Sequence, residues 1–288
     1  MTSAAAIESH AIELAFCWCF GSESPEATLP RLRDCGFDGV ELWPAPLDEF
    51  GTARWAAALS ANGMRCAQLC PYFDFVHGPA RLAPSQHQFE KFIAAANVLG
   101  CQRLRVFTGP PWGEGVVGKD EATAEQWHDA IEGLKSFCDQ AAAHGIELCL
   151  ECHEGSLMED SPSALRLLTG VERPNLTTNL QLPLRNEPWQ TSLAELGRFT
   201  SHIHIHNWTE ALGIGDLTFL EEGAFDWEPV VRELVRQLGR SVCLSVEHAD
   251  HGRRHDPWQT AARDGAYLQS LKRKILEVDA RPLSRQPA

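Results

Sequence analysis

The sequence predicts a single-domain α/β fold, an eight-stranded parallel (β/α)8 TIM barrel. Three observations predict it. Short apolar runs alternate with helix-periodic segments along the whole chain, eight of each. Connections from run to helix are long after the third, fourth and seventh runs, whereas many returns from helix to run are only a few residues. The last four runs finish on Glu151, Gln181, His204 and Glu247. A buried parallel strand should read as nearly continuous hydrophobics. Polar residues at the same end of successive strands therefore point to one shared site at a barrel mouth.

The elements follow in order. The first strand covers about Ile12–Phe20 and the first helix Pro25–Cys35, where Ser24-Pro25 sets a cap before a proline at the first helical position. Gly39–Trp43 is the second strand and Leu47–Asn62 its helix. Cys66–Tyr72 and Pro84–Leu99 form the third unit, with the loop Phe73–Ala83 between them. Arg103–Thr108 and Thr123–His144 form the fourth, joined by the loop Gly109–Glu121. Ile146–His153 leads to Pro162–Thr169, opened by Ser161-Pro162. Leu176–Leu182 leads to Trp189–Phe199, and Ser201–Trp208 runs through the loop Thr209–Phe225 to Trp227–Leu238, capped by Asp226. Ser241–His248 and Pro257–Leu276 close the set. Gly36, Gly63, Gly100, Gly145 and Gly239 each stop a helix just before the next strand. A doubly wound open sheet is the rival topology, but the turn after the first strand reads CFGSESPEAT and no glycine-rich phosphate motif occurs. The barrel spans residues 1–279, and residues 280–288 read as a flexible tail.

Composition narrows the function. Of 288 residues, 44% are hydrophobic and 22% charged, which suits a large packed core rather than a disordered chain. The 25 Lys and Arg against 39 Asp and Glu leave a net charge of −14, which repels phosphate backbones and anionic membranes. Nucleic acid and membrane partners are not expected. The ten cysteines have no framework spacing. Cys149 and Cys152 form a CxxC, but three residues apart on a strand they face opposite sides and cannot share an ion. Reduced thiols in a cytoplasmic protein are expected. The N-terminus has no basic start, and no apolar run is long enough to span a membrane.

Strands five to eight of such a barrel are neighbours, so Glu151, Gln181, His204 and Glu247 form one arc. If His204 points inward, His202 and His206 do too. Two carboxylates, an amide oxygen and an imidazole suit Mn²⁺ or Mg²⁺ with open positions for substrate oxygens. An ion polarising a carbonyl acidifies the neighbouring C–H, which Glu151 or Glu247 could remove and return. His153, Trp43, Trp208, Glu41 and His248 lie at or just past strand ends and are the expected substrate contacts; a core hydrogen bond is the alternative role for Glu41.

CGFDGVELW (35–43), GIELCLECHEG (145–155), SHIHIHNW (201–208), EGAFDWEPVVREL (222–234) and SVEH (245–248) resemble the xylose-isomerase-like barrels of the sugar phosphate isomerase/epimerase superfamily. The resemblance implies a metal-dependent isomerase or epimerase of a small sugar or related polyhydroxy carbonyl compound. It implies that Glu151 and Glu247 are both metal ligands and the acid/base pair, and that His204 is a ligand. Gln181 stands where the family has Asp, so the site is one charge more positive. The Arg that epimerases carry just after the strand-seven His is missing from Asn207-Trp208-Thr209-Glu210. A dehydratase or lyase using the same enolate is the alternative outcome, and a non-catalytic sugar-binding barrel is the alternative class. The expected partner is a small carbohydrate-like molecule, and a homo-oligomer is compatible with this reading.

Overall fold

The computed structural model describes residues 12–19, 23–184, 187–210, 215–238, 241–248 and 255–279. The chain has strands β1 (Ile12–Trp18), β2 (Gly39–Leu42), β3 (Arg65–Leu69), β4 (Arg103–Val106), β5 (Glu147–Glu151), β6 (Leu176–Gln181), β7 (Thr200–Ile205), β8 (Asn207–Trp208), β9 (Leu217–Thr218) and β10 (Val242–Val246). Eight of them close a parallel barrel in the order β1-β10-β7-β6-β5-β4-β3-β2, as the alternation of runs and helices predicts. The expected tail at 280–288, the end of the first strand at Phe20 and the stop at Gly239 lie outside the described residues.

The helices are α1 (Pro25–Asp34), α2 (Pro44–Phe50), α3 (Thr52–Asn62), α4 (Pro79–Leu99), α5 (Ala124–Ala142), α6 (Ser161–Val171), α7 (Trp189–Leu196), α8 (Trp227–Leu238) and α9 (Pro257–Asp279). Their apolar faces pack onto the strands' outer faces, with Trp55, Phe89, Phe137 and Trp227 each 1% exposed or less. Three expectations are corrected. The helix read as Leu47–Asn62 is two, because Gly51 at φ 79° leaves the helical region between α2 and α3. The cap of α6 is Asp160 rather than Ser161: its carboxylate accepts from Ser163 N at 3.0 Å, and Ser163 Oγ answers Asp160 N. The seventh run ends at Ile205. Asn207 and Trp208 then leave the barrel to pair antiparallel with Leu217 and Thr218.

Asn207 anchors that departure. Its Nδ2 donates to Leu220 O (3.0 Å) and Phe225 O (2.9 Å), and its Oδ1 accepts from Trp208 N and Phe225 N, each at 3.0 Å. Gly223 lies so close that a Cβ there would meet Asn207 Cγ at 1.9 Å. Removing the amide strands several buried backbone groups, each costing about 1–3 kcal/mol. Asn207→Ala should therefore lower the urea midpoint by an amount equivalent to about 2–4 kcal/mol.

Asp264 of α9 accepts from Leu220 N at 2.9 Å and is 2% exposed. Burial raises its carboxyl from 3.8 to about 7, against the Leu220 hydrogen bond and Arg263, which pull it down. A carboxyl whose folded pKa exceeds its unfolded value loses stability as pH rises between the two. Asn keeps an acceptor for Leu220 without the charge. Asp264→Asn should match the wild type near pH 4 and exceed it at pH 8 by about 2–4 kcal/mol in chemical denaturation, from 1.36 kcal/mol per pKa unit.

Candidate active site at the barrel mouth

Register brings the predicted residues together. Gln181 of β6 pairs with His204 of β7, and His204 pairs with Ser245 of β10, two residues before Glu247. Glu247 N donates to Ile205 O at 3.1 Å, which holds the end of the eighth barrel strand against the seventh. Glu151 ends β5. The side chains of Glu151, His204 and Glu247 converge: His204 Nδ1 lies 3.3 Å from Glu151 Oε1 and 3.4 Å from Glu247 Oε1. Gln181 Nε2 donates to Glu151 Oε1 and, at 3.1 Å, to Glu247 Oε2. It also lies 3.1 Å from His204 Nδ1.

Burial makes these charges depend on one another. It pushes the His204 imidazolium toward neutrality, but the carboxylates of Glu247, Glu41 and Glu151 outweigh it and hold the pKa well above 6.5. For Glu151, burial opposes ionisation, while Arg105 and then His204 bring its carboxyl down to about 2. His206, also facing inward, is pushed well below 6.5 by burial and then by the nearby imidazoles of His248, His204 and His153.

Two carboxylates and an imidazole with ligand atoms within 4.8 Å of one another are a donor set for a divalent cation. The Gln181 amide decides the fit. Its nitrogen lies against all three ligand groups, where it takes a cation's place between two carboxylates. Rotation of the amide by half a turn presents Oε1 instead and completes a four-residue donor set. The residues present therefore fit a divalent ion, at the cost of the amide's hydrogen bonds to the two acids.

Arg105 of β4 is the residue at the candidate site that the sequence does not by itself reveal. It is 1% exposed, and its Nη1 donates to Glu151 Oε2 at 2.8 Å while Nη2 donates to Cys70 O at 3.0 Å. Its guanidinium lies 4.5 Å from the Phe107 ring centre, 4.6 Å from Tyr72 and 5.4 Å from Trp43. Strands five to eight carry the predicted arc, and the cation partner of Glu151 comes from the fourth. The signal was present: Arg103 and Arg105 alternate on one face of a run that should be apolar.

The expected substrate contacts separate. Glu41 does not face the mouth. It is fully buried beneath His204, accepting from His202 Nε2 and His204 Nε2, both at 2.9 Å, and from the Cys70 thiol at 2.8 Å. It orients His204 through the ring nitrogen opposite the site. Burial would raise its carboxyl, but the charge of His204 and the hydrogen bonds from His202 and His204 hold it well below 4.5. Trp43 lies half-buried over Arg105 and donates to Cys17 Sγ at 3.0 Å. His153 stands edge-on to Phe107 and Trp112, whose rings continue an aromatic wall through Tyr72 to Trp43. Trp208 packs on His206, with ring centres 4.5 Å apart, and His248 stands 5.0 Å from His206. The ten cysteines are all free. Among the described residues no helix is long and apolar enough to cross a membrane.

Known proteins share this architecture. A 3-dehydroshikimate dehydratase of Bacillus anthracis is 24% identical over 188 residues, a stretch covering 61% of this chain and 64% of that protein, which is less than two thirds of its length. A xylose isomerase-like TIM barrel protein from Mycobacterium smegmatis, solved in complex with magnesium, superposes with a TM-score of 0.73 at 17% identity, covering 94% of this chain and 99% of the other. An L-ribulose 3-epimerase structure superposes with a TM-score of 0.75 at 16% identity, covering 95% and 100%. The family model described as xylose isomerase-like TIM barrel matches residues 29–271, nearly all of the barrel. The chain belongs to the xylose isomerase-like TIM barrel family.

Proposed function

We propose that this protein removes a proton next to the carbonyl of a small polyhydroxylated compound, and that the product forms by loss of water. A divalent ion held by Glu151, His204, Glu247 and the Gln181 oxygen, manganese or magnesium on donor chemistry, would polarise that carbonyl and acidify the adjacent C–H. The observation that carries the reading is the buried Arg105–Glu151 pair at 2.8 Å. Arg105 holds one Glu151 oxygen, and Gln181 and His204 face the other. Glu151 is thereby fixed in one place as an anion.

Glu247 is different. Among the described residues its neighbours are Gln181, His204, His206 and His248, with no Lys or Arg beside it. It is the carboxylate free to take a proton from carbon. As the C–H bond breaks, its electron pair enters the enolate, and the β-hydroxyl then leaves. The same carboxyl can pass its proton to that hydroxyl, so water departs, a carbon–carbon double bond forms and Glu247 returns to the anion. One mobile carboxylate completes this cycle, whereas epimerisation through a planar intermediate calls for a proton donor on each face. The similarity to a dehydratase supports this outcome, and a hydroxylated cyclic ketone of the dehydroshikimate kind is the first substrate class to try. Epimerisation by the Glu151–Glu247 pair is the second reading. It is supported by the convergence of both acids on one point and by the similarity to an epimerase.

The test is a panel of hydroxylated cyclic keto acids and ketoses assayed in D₂O with Mn²⁺ and with Mg²⁺. The proposal expects a conjugated, ultraviolet-absorbing product that has lost water. A product of unchanged composition, epimerised and carrying solvent deuterium, would instead establish the second reading.

A further inference from the structure

We propose a second cation site at the barrel mouth, formed by His206, Glu247 and His248; resting on the proposed function, an ion there takes up Glu247 Oε2 and withholds the base for as long as it is bound. The two oxygens of Glu247 face different groups. Oε1 lies toward His204 Nδ1, at 3.4 Å, on the side of Glu151. Oε2 lies 3.5 Å from His206 Nδ1 and 3.5 Å from His248 Nε2, and also accepts from Gln181 Nε2 at 3.1 Å. The ligand atoms of His206, Glu247 and His248 fall within 4.8 Å of one another, as do those of Glu151, His204 and Glu247.

An independent observation marks the outer group as a ligand site. His206 is 7% exposed, yet its Nδ1 has no hydrogen-bond partner, although it points at Glu247 Oε2. A buried ring nitrogen left without a partner is costly, and a cation between it and the carboxylate would satisfy both. Trp208 and His248 both pack edge-to-face with the His206 ring. The donors also differ in kind from those of the inner site. Two imidazoles and one carboxylate are the ligand set of open zinc sites that keep a position for water or substrate, whereas the inner set has more carboxylate and suits harder ions. The outer site should therefore prefer Zn²⁺ or Co²⁺ over Mg²⁺. With His248 side-chain exposure at 47%, it would exchange its ion with solvent readily.

The experiment is equilibrium dialysis with Zn²⁺ and visible absorption with Co²⁺ on the whole protein. Wild type should bind two ions per chain. His206→Ala and His248→Gly should each bind one. Gly suits the second position because His248 sits at φ 53°, where a side chain is strained. Glu151→Gln, which keeps an oxygen acceptor for Arg105, should also bind one, held by the outer group. Two ions retained in both histidine variants would overturn the proposal. So would a single ion in wild type that Glu151→Gln abolishes, and that result would leave the proposed function standing. A single ion lost in His206→Ala but kept in Glu151→Gln would support the outer site and remove the metal-assisted function at the inner one. If Glu151→Gln fails to fold, the two histidine variants decide the stoichiometry alone.

Discussion

Glu247→Gln should lower kcat/KM for the dehydrated substrate by about 100- to 10,000-fold, the range that a positioned general base contributes. Gln is close in shape and keeps an oxygen toward His204, so the protein should fold with nearly unchanged stability. What it loses is the carboxylate at the mouth that has no Lys or Arg beside it among the described residues. The loss should fall on kcat rather than on KM, because the group acts on the proton in flight and not on the bound ground state. Stopped-flow single turnovers would separate the two. Full activity in this variant would remove Glu247 from the mechanism.

The second large effect is on folding. Arg105→Met should destabilise the protein by about 3–5 kcal/mol at pH 7, the usual cost of leaving one member of a buried ion pair without its partner. Glu151 and Arg105 are 2% and 1% exposed, so solvent cannot take the cation's place. The pH dependence gives the sign. In wild type the Glu151 carboxyl is lowered from 4.5 to about 2, so its contribution is present above pH 4.5 and is lost as pH falls toward 2. Without Arg105, burial is opposed by His204 with less help, so the carboxyl rises from its wild-type position and the deficit relative to wild type shrinks as the solution is acidified. Urea titrations between pH 4 and 8 would show the two curves converging at the acid end. Arg105→Met combined with Glu151→Met should recover most of the loss, because no uncompensated charge remains buried.

The fold was legible because its signals are local and repeated. Apolar runs and helix-periodic segments recur eight times, with helix-ending glycines at five of the boundaries, so an error in one unit, such as the break at Gly51 between α2 and α3, leaves the topology unchanged. The arc of Glu151, Gln181, His204 and Glu247 was legible for a related reason: a polar residue at the end of a buried strand must have a partner, and four such ends meet in a barrel. Pairing inside the barrel was not legible. Glu41 reaches His204 from β2, three strands away, and Arg105 reaches Glu151 from β4, the neighbour of β5, through interior layers that depend on strand tilt and register rather than on sequence separation. The position of Glu41 at the end of β2 is compatible with a pocket or a core role, and only the placement of His202, His204 and Cys70 around it decides for the core. In the sequence Asn207 marks only a stretch that lacks an Arg. Its four hydrogen bonds to the loop that follows could not be inferred before β8 and β9 were seen to pair.

The most direct test is anomalous diffraction from a crystal soaked in Mn²⁺, collected above the manganese edge. The account predicts a peak bonded to Glu151 Oε1, His204 Nδ1 and Glu247 Oε1, with the Gln181 amide turned so that its oxygen joins them. No peak at that point, with the Gln181 nitrogen still lying between the two carboxylates at millimolar Mn²⁺, would contradict it and favour a barrel that binds its small molecule without a metal.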